Sequence, residues 1–140
     1  MKPYIILNKK TLFVVIIIIA AALLIFSRAV YLSGKRIDGS NNASRQTYIS
    51  SLGITDFSGQ VKSKEIVIPR EFPSVYTEYN ELQKKAGFDL QKYSGKSAVL
   101  YTYFLENGEA VNLIVHKGQI IGGDISLNNK VLPLTSIEKK

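Results

Sequence analysis

The chain has 140 residues, with 18 Lys or Arg against 11 Asp or Glu, and a formal net charge of +7. It has no Cys and one His, which excludes disulfides, lipid attachment to cysteine and the usual Cys/His zinc site within one chain. Residues 1–41 carry +5 and residues 42–140 only +2, so the distal part does not show the basic surface of a nucleic-acid-binding domain. No nucleic-acid partner is therefore predicted.

An uncharged and strongly apolar run covers residues 11–27. As a helix the run reaches roughly 26 Å, close to a hydrocarbon core of about 30 Å, and residues 29–32 complete the span. The pattern predicts a transmembrane helix at 11–32 after a short cytoplasmic segment at 1–10, with the lipid bilayer as partner. A cleaved signal peptide is the alternative, because Lys9 and Lys10 precede the run; the run is long for that role, and Arg28 lies in the cleavage zone.

The residues that flank the run are predicted to lie at the membrane interfaces. They are Lys9, Lys10, Arg28, Tyr31, Lys35 and Arg36. Both flanks carry three Lys or Arg, so the positive-inside rule does not settle the orientation. Small and polar residues at 33–42 predict a tether, which leaves 43–140 as a single small domain.

The first elements of this domain are a short helix and a strand. The helix is predicted at 43–52, with Asn42 as N-cap and Gly53 as the left-handed residue after its end. The strand is predicted at 61–68 and ends at Pro69, which cannot continue regular pairing. Charged residues within the strand indicate an edge position.

A stripe of apolar residues at three- and four-residue steps predicts the next helix. The stripe consists of Phe72, Val75, Tyr76, Tyr79, Leu82 and Ala86. Pro73 fits the first helical position, and Gly87 fits the residue after the helix.

The remaining sequence predicts three antiparallel strands at 97–105, 110–116 and 119–127. Asn107 and Gly108 are typical of a two-residue type I′ turn, and Lys117 and Gly118 form a weaker second turn signal. With a two-residue first loop, one sheet face carries Leu100, Thr102 and Phe104 against the second helix, and the other carries Tyr101, Tyr103, Asn112 and His116. The predicted fold class is α+β, with helices packed on an antiparallel β-meander.

The order and spacing of several motifs carry a family resemblance. The motifs are 68–72 (IPREF), Tyr76, 79–84 (YNELQK), 87–90 (GFDL), 93–96 (YSGK), 101–103 (YTY), 112–113 (NL) and 120–124 (IIGGD). Over roughly residues 43–127 the sequence resembles domain-of-unknown-function family 4830. The resemblance implies a bacterial protein with a short amino-terminal membrane segment and an outward-facing domain, and it supplies no reaction, substrate or catalytic residue.

The residues themselves predict no catalytic, cofactor-binding or metal site, and no cofactor. His116 is a lone imidazole beside a turn, typical of an exposed polar residue. Asp89, Asp124, or Glu106 with Glu109 could offer oxygen ligands to a cation, but no EF-hand spacing is present. Gly122 and Gly123 lack the following helix of a phosphate-binding loop, so they predict a β-bulge or a close backbone approach.

The candidate interaction surface is the face with Tyr101, Tyr103, Asn112 and His116, because tyrosine suits binding surfaces. We expect a non-catalytic module that binds an envelope protein or peptide, through this face or by strand addition at the neighbouring edge. The simpler interpretation is that the helix at 43–52 or residues 131–134 cover the face. A cell-envelope enzyme and a binder of anionic wall polymers or lipid headgroups are the alternative functions.

Overall fold

Residues 8–32 and 36–135 are described by the computed structural model, which for Phe26 and residues 28–32 describes the backbone alone. The chain divides into two units, Met1–Lys35 and Arg36–Lys140. The predictions for residues 1–7, for Lys35 and for the side chains of Arg28 and Tyr31 lie outside the described residues. Arg36 begins the second unit.

In the first unit, helix α1 spans Lys9–Leu32. Its large apolar side chains between residues 12 and 25 are 38 % to 71 % exposed, and Lys9 and Lys10 are exposed in its first turn. Among the described residues, no helix combines the length and the apolar character that crossing a membrane requires. The structure therefore does not show the predicted transmembrane helix at 11–32, which stays a prediction.

The second unit is an α+β domain built on one antiparallel sheet. Its elements are β1 (Ile37–Asp38), α2 (Asn42–Ser51), β2 (Phe57–Val67), α3 (Ser74–Lys85), a 3-10 helix (Leu90–Tyr93), β3 (Ser97–Leu105), β4 (Ala110–His116), β5 (Gln119–Leu127) and β6 (Lys130–Pro133). The strand order is β1-β5-β4-β3-β2, and β6 pairs with another part of β5. The predicted meander is confirmed, and β2 is an edge strand of the sheet that the described residues form.

Two short strands were not predicted. β1 lies within the predicted tether at 33–42, where Ile37 pairs with Ile120, so this part of the tether belongs to the sheet. β6 follows a turn at Asn128 and Asn129, both of which have positive φ. Paired positive φ values characterise a type I′ turn, and Asn is among the residues that adopt them.

Helix α2 begins one residue earlier than predicted. The side chain of Asn41 is the N-cap, since its Oδ1 accepts a hydrogen bond from the Ser44 backbone N–H at 2.9 Å. Asn42, the predicted cap, is the first helical residue. Gly53 (φ +86°) follows the helix in the left-handed conformation, as predicted.

Helix α3 ends as predicted, but Pro73 is its N-cap residue rather than the first helical residue. Gly87 has a φ of +83°, and the Phe88 N–H donates to the Gln83 carbonyl at 3.0 Å. This arrangement is a Schellman motif, in which the residues after the helix satisfy its last carbonyls.

The hairpin between β3 and β4 differs from its prediction. The Leu105 N–H donates to the Glu109 carbonyl at 2.8 Å, so the loop contains three residues, 106–108. Gly108 has a φ of +81°, whereas Asn107 lacks the positive φ that a type I′ turn requires at both central residues. The second hairpin does have a two-residue turn, because both Lys117 and Gly118 have positive φ.

The extra loop residue shifts the register of β3 against β4 by one position. Tyr103 pairs with Val111 and Tyr101 with Leu113, so these four side chains share one face. We call this face, covered by α2, the α2 face. Its core contains Ile49, Leu52, Tyr103, Val111, Leu113, Ile125 and Leu134.

The opposite side is the α3 face, which carries Leu100, Thr102, Asn112 and Ile114. Its core contains Ile68, Leu90, Ala98, Ile114 and Ile121, with Phe72, Tyr79 and Leu100 packed against them. Leu100 and Thr102 therefore lie on the side of the sheet that faces the second helix, as predicted.

Gly122 and Gly123 lie beside a β-bulge in the pairing of β4 with β5, as predicted. A Cβ on Gly122 would lie 2.9 Å from Gln83 Oε1, on the α3 face. A Cβ on Gly123 would meet the Asn112 carbonyl and, at 2.9 Å, Leu134 Cδ2. Both glycines therefore permit a close approach, although on the α3 face the approaching group is a side chain rather than helix backbone.

Candidate functional site

Tyr101 and Tyr103 lie beneath α2 and not on a free surface. Tyr103 is 1 % exposed; its hydroxyl donates to Asn42 Oδ1 at 2.9 Å and accepts from Arg45 Nε at 2.8 Å. The Arg45 guanidinium lies over the Tyr101 ring, 3.7 Å from its centroid. The simpler interpretation of these tyrosines, cover by the first helix of the domain, is the one that the structure shows.

Asn112 and His116 lie on the α3 face, on the other side of the sheet from the two tyrosines. His116 Nδ1 is 2.6 Å from the Ser97 carbonyl oxygen, and its ring meets Tyr93 edge-on at 5.7 Å. The structure therefore does not bring the four predicted residues together as one surface. The physical reason is the three-residue loop, which inverts the facing of β4 relative to the prediction.

Arg45 is a buried cation, and its side chain is 7 % exposed. It forms no ion pair with any of the described residues. Its Nη1 donates to the Gly39 carbonyl at 2.8 Å, in addition to the bond from Nε to Tyr103. Hydrogen bonds to neutral oxygens and the face of an aromatic ring compensate the charge. The residue joins α2 to the sheet and to the segment after β1, which is a structural role.

A cleft opens on the α3 face, between the end of β2 and the first turns of α3. Its volume is about 230 Å³, and it is lined by Ile66, Val67, Ile68, Pro69, Phe72, Tyr76, Tyr79, Leu90, Leu100, Asn112, Ile114 and Asp124. We call it the α3 cleft. Typical ligand pockets measure about 300–1,000 Å³, so this volume suits one side chain or a small head group.

A polar network forms one wall of the α3 cleft. Asp124 Oδ2 accepts a hydrogen bond from the Tyr79 hydroxyl at 2.6 Å, and Oδ1 accepts from Asn112 Nδ2 at 2.8 Å. The Thr102 hydroxyl donates to Asn112 Oδ1 at 2.7 Å. Asp124 is 6 % exposed, and no ion pair involves it within the described residues.

Burial is the main cause that raises the pKa of Tyr79, and the charge of Asp124 and the hydrogen bond to it raise this pKa further. Tyr79 is therefore a stable hydrogen-bond donor to the carboxylate at neutral pH. Gln83 has a smaller and opposite effect on the Tyr79 pKa. Gln83 is fully buried: its Oε1 accepts from the Gly123 N–H at 2.8 Å, and its Nε2 has no hydrogen-bond partner among the described residues.

A second groove, larger in volume, lies where the end of β2 pairs with the start of β3. Its volume is about 630 Å³, and it is lined by Glu65, Ile66, Val67, Ser97, Ala98, Val99, Val115 and Lys117. Ile66 and Val67 line both this groove and the α3 cleft. Two concave surfaces therefore border the end of β2.

From the sequence, Asn112 was predicted as part of a surface and Asp124 as a possible cation ligand, without a connection between them. Tyr79 was predicted within the apolar stripe, and neither Gln83 nor Arg45 was predicted as a site residue. Gln83 lies four residues after Tyr79 and therefore on the same side of the helix. A polar side chain next to the apolar stripe was the sequence signal that could have indicated Gln83 as part of the site. For Arg45 the sequence contains no such signal.

In residues 8–32 and 36–135, no group of three or more His, Cys, Asp or Glu side chains is arranged to hold a metal ion. The search of curated proteins and the search of solved structures return no match.

A family model does match the chain. Residues 55–125, half of the chain, match the family described as Domain of unknown function (DUF4830). This segment contains β2, α3, β3, β4, most of β5 and every residue that lines the α3 cleft, whereas α2 with Arg45 lies outside it. The chain therefore belongs to the DUF4830 family.

Proposed function

We propose that this protein is a non-catalytic interaction module that binds an extended peptide segment of a partner protein along β2 and in the α3 cleft. One observation carries the proposal: the cleft opens beside an edge strand. Ile66 and Val67 at the end of β2 line the cleft, and β2 pairs on one side alone within the described residues.

Strand addition suits the properties of β2. The strand has 11 residues, and its unpaired edge presents backbone N–H and C=O groups that an extended peptide can pair with. Lys62 and Lys64 are exposed on the strand, and charged residues on an edge discourage unselective pairing. Val61 and Val67 are exposed as well, at 40 % and 65 %. A partner peptide must therefore supply apolar side chains that contact Val61 and Val67, as well as backbone N–H and C=O groups that are free to pair with β2.

The test uses the full-length chain in detergent micelles. Phage-displayed random peptides, long enough to pair along all of β2, are selected on it, and hydrogen exchange is measured with and without an enriched peptide. We expect exchange of β2 backbone amides to slow by about tenfold or more. Strand β6 is the internal control, because it pairs with β5 alone.

Two results would overturn this proposal. One is a selection that enriches no peptide above the level obtained on the unfolded chain. The other is an enriched peptide that leaves β2 exchange unchanged and slows exchange elsewhere.

We also propose that residues 11–32 anchor the chain in a bilayer, with the second unit outside the cell. The absence of charge from 11 to 27 and the exposed apolar side chains of α1 support this proposal. Carbonate extraction of membranes tests the anchor, and Ile18→Lys is the matched variant, since a Lys at a helix centre costs about 3 kcal/mol in insertion. We expect the native chain to stay with the membrane and the variant to be released in larger part.

Protease treatment of intact cells, with an epitope after Lys140, tests the orientation. Digestion of the epitope before lysis is expected for an outward domain. Extraction of the native chain by carbonate would overturn the anchor, and protection of the epitope until lysis would overturn the orientation.

A further inference from the structure

We infer that the α3 cleft binds a Lys side chain of the peptide that lies along β2, with the ammonium group at Asp124. The inference deepens the proposed function and rests on it. The chemistry that the cleft recognises is a primary ammonium at the end of a short unbranched apolar chain.

The charge of Asp124 favours a cationic ligand. A buried carboxylate is normally paired with a cation, because desolvation of an unpaired charge is costly. Asp124 has two neutral hydrogen-bond donors and no ion pair among the described residues. A carboxylate offers about four acceptor positions, so roughly two stay available to a ligand.

The charge along the cleft lining is negative. Of the twelve residues that line it, Asp124 alone is charged. Among the described residues that line the cleft, no Lys or Arg competes for the carboxylate. The field in the cleft therefore favours a cation, although the whole chain is basic.

The apolar wall of the α3 cleft suits the stem of a Lys side chain. Phe72, Tyr76 and Tyr79 contribute three aromatic rings to the lining, and the Phe72 and Tyr76 rings meet edge-to-face at 6.2 Å between centroids. Aromatic faces attract cations, and this attraction strengthens when the cation is desolvated. Ile66, Ile68 and Leu100 offer contacts to the methylene stem that a Lys side chain buries readily.

The geometry of the carboxylate favours Lys over Arg. A guanidinium binds best when both carboxylate oxygens are free to accept its two parallel N–H groups. At Asp124 each oxygen already accepts one hydrogen bond, from Tyr79 or from Asn112. The compact ammonium, which acts as a point charge with three rotatable donors, needs no paired geometry.

The test separates charge from shape with two small probes. Butylammonium reproduces a Lys side chain, and n-butanol has the same stem without the charge. Each probe is titrated into isotope-labelled full-length chain in micelles, and backbone amide shifts are recorded. We expect butylammonium to shift the residues that line the cleft and to bind about tenfold or more tightly than n-butanol, a difference of about 1.4 kcal/mol.

Two variants complete the test. Asp124→Asn removes the charge and is expected to abolish the preference for butylammonium. Glu71→Gln removes the same charge from an exposed residue that does not line the cleft and is expected to leave the preference unchanged. Tyr76→Leu, at a residue 46 % exposed and thus tolerant of change, is expected to weaken butylammonium binding severalfold.

Equal binding of the two probes to the native chain would overturn the inference, and so would a preference that survives Asp124→Asn. The comparison of probes on the native chain needs no variant to fold. Peptide selection and β2 exchange report on strand addition separately. Butylammonium binding without peptide pairing would overturn the proposed function alone, and peptide pairing without any preference for butylammonium would overturn the inference alone.

Discussion

Arg45 and Asp124 are buried charges on opposite faces of the same sheet, and each lacks an ion pair within the described residues. Arg45 is enclosed by protein groups: the Tyr103 hydroxyl, the Gly39 carbonyl and the Tyr101 ring. Asp124 has two hydrogen-bond donors but also borders a cleft of about 230 Å³. A buried charge therefore indicates a binding site only when open space with complementary walls lies next to it.

The largest expected effect on stability comes from a substitution at one of two neighbouring glycines. Gly122 and Gly123 face opposite sides of the sheet, so the same substitution can be compared on both faces. Gly123→Ala would place a Cβ against the Asn112 backbone carbonyl and Leu134, on the closed α2 face. We expect a loss of about 3 kcal/mol in the free energy of unfolding, measured by urea titration with tyrosine fluorescence. Gly122→Ala would meet the ends of the Gln83 and Leu90 side chains, which can move. It should cost about 1–2 kcal/mol, and equal losses would contradict the contrast.

Arg45→Met should cost about 2 kcal/mol of unfolding free energy. The change removes two hydrogen bonds and the contact with the Tyr101 ring, and it leaves the Gly39 carbonyl without this donor, while the side-chain length is nearly kept. Arg70→Met makes the same substitution at an exposed residue and should stay within about 0.5 kcal/mol of the native chain. A loss no larger than that of the control would mean that Arg45 does not hold α2 on the sheet.

Tyr79 is expected to make the unfolding free energy depend on pH in the alkaline range. Its pKa in the folded chain is raised above the ordinary 10.0 by burial and by Asp124, so this contribution to stability is complete below pH 10 and declines as the pH rises above it. Urea titrations between pH 9 and pH 11 should show a fall of at most about 1.4 kcal/mol per pH unit from this group. Tyr79→Phe should remove that part of the slope, whereas Tyr76→Phe should retain it.

Asp124→Asn should change the unfolding free energy by less than about 1 kcal/mol. With the Asn112 amide flipped, the introduced amide can donate to the Asn112 oxygen, and the Asn112 nitrogen can donate to Thr102. The introduced carbonyl oxygen still accepts from Tyr79, and the cost of a buried charge disappears. A loss as large as that of Arg45→Met would place Asp124 with Arg45 as a structural charge and break the comparison.

The sequence was sufficient to predict the strands of the meander and the α3 helix. Gly and Asn mark the turns, apolar residues alternate in the strands, and Gly87 ends an apolar stripe of helical period. The register of β3 against β4 was not predictable in the same way. The pair Asn107 and Gly108 occurs in both two-residue and three-residue loops, and the choice between them decides which side chains share a face.

The candidate site was less predictable than the fold. Asp124 and Asn112 meet through the pairing of β4 with β5, which the bulge beside Gly122 and Gly123 shifts. Tyr79 reaches Asp124 across 45 residues of sequence. Neither relation follows from local propensity, because both depend on how α3 lies on the sheet.

The three-residue loop at 106–108 joins two strands that both lie inside the sheet, and this position restricts how the family can change in length. If the loop kept three residues after removal of one, Asn112 would come into register with Tyr103 and lie apart from Thr102. Closure by a two-residue loop would instead keep Tyr103 opposite Val111 and preserve the facing. Relatives that are one residue shorter at this loop should therefore have a two-residue turn with residues such as Asn and Gly, which adopt the positive φ that this turn requires.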